Sequence, residues 1–288
     1  MKEFGGKVAV ITGGASGIGQ AIAERAAREQ MKIVLADIEQ PALDQTTTML
    51  SEMGASVVGV RTDVSSSEEM EALACQTLAA FGSADLLFNN AGVGGGGGNI
   101  WELPLDQWQW VLGVNLLGVI HGIRVFVPRM ISQNTECHVV NTASVAGLCC
   151  LGASATYTVS KYGVVGISEV LSCELTRARA KVGVSVLCPA LVKTRFLDSG
   201  RNRPAGCGGP VVSAPLSQAD ADARWAKSGT KWRHLGPVIE AGDVADITFA
   251  AIRDRRFYIL PQHQVIDLVQ ARADDIQSGR APTTARAS

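Results

Sequence analysis

Residues 7–19 read KVAVITGGASGIG, a short run of apolar β-formers that ends in a glycine-rich turn. Glycines 13, 17 and 19 let a backbone turn tightly and approach a pyrophosphate. A helix beginning at Gly17 would offer free N–H groups and the positive end of its dipole to that anion. Ser16 and Ile18 flank the turn and share its contacts. A glycine-rich turn alone does not specify a nucleotide, but its place between a buried strand and a helix does narrow the reading. The second apolar run, KIVLAD at 32–37, closes on Asp37, 18 residues after Gly19. A carboxylate must lie near there to bind adenosine-ribose hydroxyls. The plainer reading of Asp37 is a strand-end turn residue or a helix cap. As a ribose ligand it accepts from a free 2′-hydroxyl and repels a 2′-phosphate. Neither Ser16 nor Ile38 brings a compensating positive charge, so NAD is expected over NADP.

Working outward, SVVGVRTDV at 56–64, DLLFNN at 85–90, CHVVNTAS at 137–144 and VGVSVLCP at 182–189 continue the series of apolar runs. Helical periods fill 17–28, 41–53, 67–81, 105–131 and 156–179 between them. Strands apolar on nearly every residue fit burial on both faces, which predicts an α/β fold. Its core is a doubly wound parallel sheet of about seven strands with helices on both faces, and its ligand sits at the carboxyl ends of the strands. GVGGGGGN at 92–99 and RNRPAGCGGPVVSAP at 201–215 break the pattern. Too little sequence follows the second for an independent domain, so residues 1–288 are expected to form one domain. Helices are expected around 216–227 and over 241–253, then a strand FYILP at 257–261, a terminal helix over 264–277 and a frayed tail to 288.

The chain has 288 residues, 47% hydrophobic and 18% charged, with 26 Lys plus Arg against 27 Asp plus Glu. That balance leaves no basic field for nucleic acid and points to a small-molecule partner. No charged-then-apolar leader precedes Lys7, and no apolar run approaches the ~18–20 residues of a membrane span, so a cytoplasmic protein without a membrane partner is expected. Seven cysteines without a CxxC pair or histidines at ligand spacing predict reduced thiols, no disulfide framework and no metal site. The adjacent pair Cys149 and Cys150 has no base nearby to make a reactive thiolate.

TYTVSK at 156–161 places a tyrosine and a lysine four positions apart, on one face of a helix. By itself such a pair is an ordinary surface contact. Together with TGGASGIG at 12–19, NNAG at 89–92, Ser144 placed 13 residues before Tyr157, and Asn115 in VNLLG, it resembles the short-chain dehydrogenases/reductases. Four motifs in order cover about residues 5–195. The resemblance implies a Rossmann-type oxidoreductase that interconverts a secondary alcohol and a ketone by hydride transfer, with a catalytic set of Asn115, Ser144, Tyr157 and Lys161. Tyr157 is then the base that takes the hydroxyl proton, its anion favoured by the Lys161 ammonium and by the oxidised cofactor. Ser144 holds the substrate oxygen, and Asn115 shapes the site through its helix and supports a water chain. Singly, Ser144 reads as well as a strand-end hydroxyl and Asn115 as a helix-interior polar group.

The resemblance further implies that Asp63 and Val64 contact adenine, and that Asn90, Ala91 and Gly92 line the cofactor together with Tyr157 and Lys161. PALVKT at 189–194 takes the place of the family's PGxxxT loop, so Pro189, Val192 and Thr194 join the cofactor set; Ala190 stands where the family has glycine. Residues 195–236 fall where the family carries its substrate lid. Ser144, Val145, Cys150, Leu151, Tyr157, Leu191 and Phe196 are the candidate substrate contacts, with Cys149 and Leu197 beside them and Trp101 and glycines 94–98 at the rim. This mostly apolar set, with no Arg or Lys, predicts a bulky, apolar or aromatic substrate. RRFYILPQ at 255–262 and GGGGGNIWELP at 94–104 resemble bacterial family members acting on the benzylic hydroxyl of lignin-type aryl ethers. A homodimer through the helices at 105–131 and 156–179, or a homotetramer, is expected. Readings of another kind are a non-catalytic NAD(H)-binding redox sensor, which would show damage in the catalytic set, and an NADP-dependent carbonyl reductase.

Overall fold

Consecutive β-branched and apolar side chains leave β1 (Val8–Thr12) no face suited to water, and all five of its residues are buried. The computed structural model describes residues 1–151, 154–207, 223, 226–227 and 233–283. In it, β1 is flanked by β2 (Lys32–Asp37) and β4 (Leu86–Asn89), with Val10 opposite Val34 on one side and Leu87 on the other. β3 (Ser56–Arg61), β5 (Cys137–Thr142), β6 (Val182–Leu187) and β9 (Tyr258–Ile259) complete a seven-stranded sheet in the order β3-β2-β1-β4-β5-β6-β9, parallel throughout. The chain builds leftward from β1 to β3 and then crosses back to β4. The crevice between β1 and β4 at their carboxyl ends is therefore the switch point where such sheets take their ligand.

Alternation along β1 divides the core. Ala9 and Ile11 pack with α1 (Gly17–Arg28), α2 (Gln40–Glu52) and α7 (Ala241–Arg253). Val8 and Val10 pack with α3 (Ser67–Phe81), α5 (Gly118–Gln133) and α6 (Ala155–Arg177) on the opposite face. In the first layer the Phe249 ring meets Phe4 edge-on at 4.9 Å and stacks on Phe88 at 6.0 Å. Local signals set the helix ends: Ser66 caps α3 by accepting the Glu69 N–H at 3.2 Å, and Gly82 ends it in the left-handed region at φ 78°.

The helix predicted over 105–131 has internal structure. α4 (Leu105–Leu112) and α5 are joined by a π turn, Gly113–Leu117, in which the Gly118 N–H reaches back to the Gly113 carbonyl. This continuous element, Leu105–Gln133, has a mean hydropathy of 1.7 over its most apolar window and is long enough to cross a membrane. It corrects the expectation that no such run exists. Half of that window is buried, with Phe126 and Met130 in the core between α3, α6 and the sheet, so the apolarity serves internal packing. A second correction is a small parallel pair, β7 (Val192–Lys193) with β8 (Ile239–Glu240), too short to show any period in sequence. The terminal helix α8 spans Val265–Gln277. Most of the helix expected around 216–227, and most of the expected lid, lie outside the described residues.

Candidate active site

Every strand end at the switch point contributes to one groove. At its floor, Gly13 adopts φ 62°, and a Cβ there would fall 2.8 Å from the Ala91 Cα; a Cβ on Gly19 would fall 2.0 Å from the Gly13 carbonyl oxygen. The turn is bolted to β4 through Thr12. Its hydroxyl accepts the N–H groups of Asn90 (2.9 Å) and Ala91 (3.1 Å), while the Asn90 amide donates to the carbonyls of Thr12 (3.1 Å) and Gly13 (3.2 Å). Ser16 precedes α1 without making a side-chain cap bond, and the first turn carries no acidic residue. The N–H groups of Gly17, Ile18 and Gly19 are thus left for an anion, as a dinucleotide pyrophosphate requires. Gly17 lies against Thr194 from the far wall: a Cβ on it would meet that side chain at 3.0 Å.

On the β2 side of the groove, Asp37 at the end of the strand accepts the N–H of Ala15 at 3.0 Å and of Glu39 at 3.1 Å. Burial pushes its pKa above the ordinary value despite these bonds. Ile38, Asp63 and Val64 line the same wall. Asp63 accepts from both the N–H (2.9 Å) and the hydroxyl (2.7 Å) of Ser65, which fixes the turn after β3. Sequence reading missed one feature here. Arg201, 162 positions from Glu39, grips that carboxylate with Nε at 3.0 Å and Nη2 at 2.6 Å. No local pattern around Asp37 announces it.

Where β5 ends, Ser144 opens a short 3-10 turn, Val145–Gly147; its hydroxyl accepts the Ala146 N–H at 3.2 Å and donates to the Pro189 carbonyl at 3.3 Å. Tyr157 and Lys161 stand on successive turns of α6. The Lys161 ammonium donates to the Thr142 carbonyl at 2.8 Å and lies 5.6 Å from the Tyr157 ring centroid. Burial pushes the Tyr157 phenol up to about 12, against a hydrogen bond with Ser144 that favours the anion, and pulls Lys161 down to about 8. Near neutrality the pair is phenol and ammonium. Gly92 separates Lys161 from Asn115: a Cβ on it would sit 3.5 Å from the ammonium and 3.4 Å from Asn115 Oδ1. The Asn115 amide, on the π turn, is committed to the backbone of Val93, accepting its N–H at 2.8 Å and donating to its carbonyl at 2.9 Å, and donates also to Ser160 at 3.1 Å. Its side chain therefore ties β4's extension to the helix.

The candidate substrate residues divide. The Phe196 ring lies 5.4 Å from that of Tyr157 and lines the groove, together with Val93, Trp110 and Val114, which sequence reading did not select. Val145 and Cys149 are buried in a cluster with Leu235 and Val265, and Leu151 packs on it, so Val145 belongs to the core that seats α8. Cys150 is half-buried. The Leu191 carbonyl accepts Gln262 Nε2 at 2.9 Å and the Ile239 N–H at 3.1 Å, which fixes Leu191 beside β8. Trp101 is 78% exposed and, like glycines 94–98, does not line the groove, and Leu197 is exposed as well. Pro189, Val192 and Thr194 line the groove as expected positions, and Ala190 has no positive φ, so the missing glycine costs nothing. All seven cysteines are free thiols, and burial pushes Cys149 up to about 11 and Cys188 up to about 12, which leaves both unreactive.

The short chain dehydrogenase family model matches residues 7–204. A short chain dehydrogenase/reductase from Burkholderia phymatum, crystallised in complex with NAD, is 47% identical with a TM-score of 0.88, each chain covered to 98%. A CLA biosynthesis dehydrogenase/reductase of Lactiplantibacillus plantarum is 36% identical over 282 residues, 98% of this chain and 97% of that one. A C alpha-dehydrogenase of Sphingobium is 30% identical over 285 residues, 98% of this chain and 89% of that one.

Proposed function

The chain belongs to the short chain dehydrogenase family, and from that footing we propose that it is an NAD(H)-dependent oxidoreductase interconverting a bulky, apolar or aromatic secondary alcohol and its ketone. The observation that carries this reading is the convergence of Ser144, Tyr157 and Lys161 at the carboxyl end of β5, beside a groove floored by the turn at 13–19.

Gly13, Ser16, Gly17, Ile18 and Gly19 would cradle the pyrophosphate, and Asp37 and Ile38 would take the adenosine ribose. Asp63 and Val64 would border the adenine. Asn90, Ala91, Gly92, Pro189, Val192 and Thr194 would line the remainder. Bound NAD supplies the hydride acceptor in oxidation and the donor in reduction, and its oxidised form adds a positive charge. Tyr157 removes the hydroxyl proton during oxidation and returns it during reduction. Lys161 favours the phenolate by its charge, and Ser144 hydrogen-bonds the phenol and holds the substrate oxygen as charge develops on it. Asn115 keeps Val93, and with it the Gly92 backbone, in register with Lys161.

The apolar wall of Val93, Trp110, Val114 and Phe196 supports a bulky substrate. Exposed Leu117 on the π turn, with Val159 and Val170 on α6, supports a homodimer through these helices. The unpaired thiols support a cytoplasmic, reducing setting.

The test is absorbance at 340 nm with NAD and NADP separately against aryl carbinols, steroids and cyclic and aliphatic alcohols. NAD-dependent turnover that disappears in Tyr157→Phe is expected. Tight NADH binding with no turnover on any alcohol or ketone would replace the enzyme with a redox sensor.

A further inference from the structure

The ribose side of the groove contains a guanidinium that is spoken for. Arg201 lies on a short 3-10 segment, Arg195–Asn202, that crosses the groove from the far wall. The segment is anchored at both sides. Ser199, buried, accepts the Gly94 N–H at 2.8 Å, and Arg203, just beyond, places its guanidinium 5.8 Å from the Trp110 ring centroid. Arg201 itself donates through Nη1 to the carbonyls of Arg195 (3.2 Å) and Asp198 (3.0 Å), which aims the rest of its fork. Nε then reaches Glu39 Oε1 at 3.0 Å and Oε2 at 3.2 Å, Nη2 reaches Oε1 at 2.6 Å, and Asn202 adds a bond at 3.0 Å. Both ionic side chains are largely covered, at 16% and 23% exposure, so water does little to weaken the pair. The Glu39 N–H is bonded to Asp37, and Asp37, Ile38, Glu39, Arg201 and Asn202 line one wall.

An arginine fork matches a phosphate as well as a carboxylate. A free Arg201 at this place would therefore favour a dinucleotide carrying a 2′-phosphate and offset the repulsion from Asp37. Building on the NAD reading above, we propose that Glu39 is a specificity residue for the cofactor: by occupying the Arg201 fork it withholds from a 2′-phosphate the guanidinium that would neutralise it. A 2′-hydroxyl needs no such charge and is unaffected. The discrimination then rests on two carboxylates with different tasks. Asp37 meets the ribose, and Glu39 disarms the nearest competing cation.

The test is fluorescence titration of NADH and NADPH into the wild type, Glu39→Gln, Arg201→Gln and the double variant, with Glu39→Ala as a second way to free the fork. Expected is a gain of about tenfold or more in NADPH affinity in Glu39→Gln and Glu39→Ala, with a smaller change for NADH. That gain should vanish in Glu39→Gln/Arg201→Gln, and Arg201→Gln alone should gain nothing. NADPH affinity within twofold of wild type in both Glu39 variants overturns the proposal. So does a gain that survives in the double variant, because Glu39 would then act through its own charge. A wild-type protein that binds neither nucleotide overturns the NAD reading itself, and the specificity role with it.

Discussion

The Lys161 ammonium lies 5.6 Å from the centroid of the Tyr157 ring and is held there by the Thr142 carbonyl. Burial drives these two groups in opposite senses, the phenol up to about 12 and the ammonium down to about 8. Alcohol oxidation needs the phenolate, so its rate should climb with pH through the neutral and alkaline range. Ketone reduction needs the phenol and should be flat there. At pH 7 an ammonium with a pKa of about 8 still carries its charge. Removing it in Lys161→Met raises the phenol further, so the oxidation limb should move to higher pH. At fixed pH 7, oxidation should drop by ~10–100-fold and reduction by less. Paired pH–rate profiles in the two directions check this; equal loss in both would mean that Lys161 serves only to position.

The same two shifts shape stability. Lys161 has a folded pKa below its ordinary 10.5, so between about pH 8 and 10.5 the unfolded chain holds more protons than the folded one. Stability should therefore rise with pH across that window and be lost as pH falls through 8. Tyr157 is raised, and its effect has the opposite sign: the folded state holds more protons between 10 and about 12, and stability falls there. Urea unfolding of cofactor-free protein from pH 7.5 to 9.5 should show the rise, and Lys161→Met should flatten it. The raised Cys149 and Cys188 thiols oppose the rise above about pH 9 in both proteins, so a wild type and Lys161→Met whose midpoints run parallel over that range would show that Lys161 is not desolvated as the structure has it.

The turn, Asp37 and the Tyr157/Lys161 pair were legible because each rests on residues close together in sequence, and the apolar strands fixed which end of the sheet they occupy. Three features were not. Arg201 meets Glu39 across 162 positions, a distance over which no spacing rule operates. Val145 sits beside Ser144 in sequence but faces the cluster that seats α8, because the 3-10 turn after Ser144 rotates it away from the groove. The π turn at Gly113–Leu117 is one extra residue in a helix whose apolar period otherwise continues, and only tertiary contact from Asn115 to Val93 selects it.

The aromatic stack of the first layer should carry a large part of the fold's stability. Phe249 is fully buried, meets Phe4 edge-on and stacks on Phe88. Phe249→Ala leaves a cavity between two layers that cannot both collapse into it. A loss of about 3–5 kcal/mol is expected from urea denaturation, with the unfolding slope unchanged. A loss under about 1 kcal/mol would mean that α7 is free to settle onto the sheet.

Glycines 94, 95 and 96 are packed against neighbouring side chains, which gives the last prediction. A Cβ on Gly95 would fall 2.0 Å from the Thr156 hydroxyl oxygen and 2.3 Å from that of Ser154, the two hydroxyls being 3.2 Å apart at the start of α6. Thr156 is fully buried and branched at Cβ, so its hydroxyl cannot swing clear. Gly95→Ala must then displace the first turn of α6, which carries Tyr157, while the cofactor cradle at 13–19 stays as it is. A fall in kcat of about tenfold or more with NADH affinity unchanged is expected, since a small misplacement of the proton-transferring group acts on the chemical step alone. Adding Ser154→Ala and Thr156→Ala to Gly95→Ala makes room for the new methyl and should recover part of the loss. Weakened NADH binding in Gly95→Ala would instead show that the strain runs back through Val93 to Ala91 and the pyrophosphate turn.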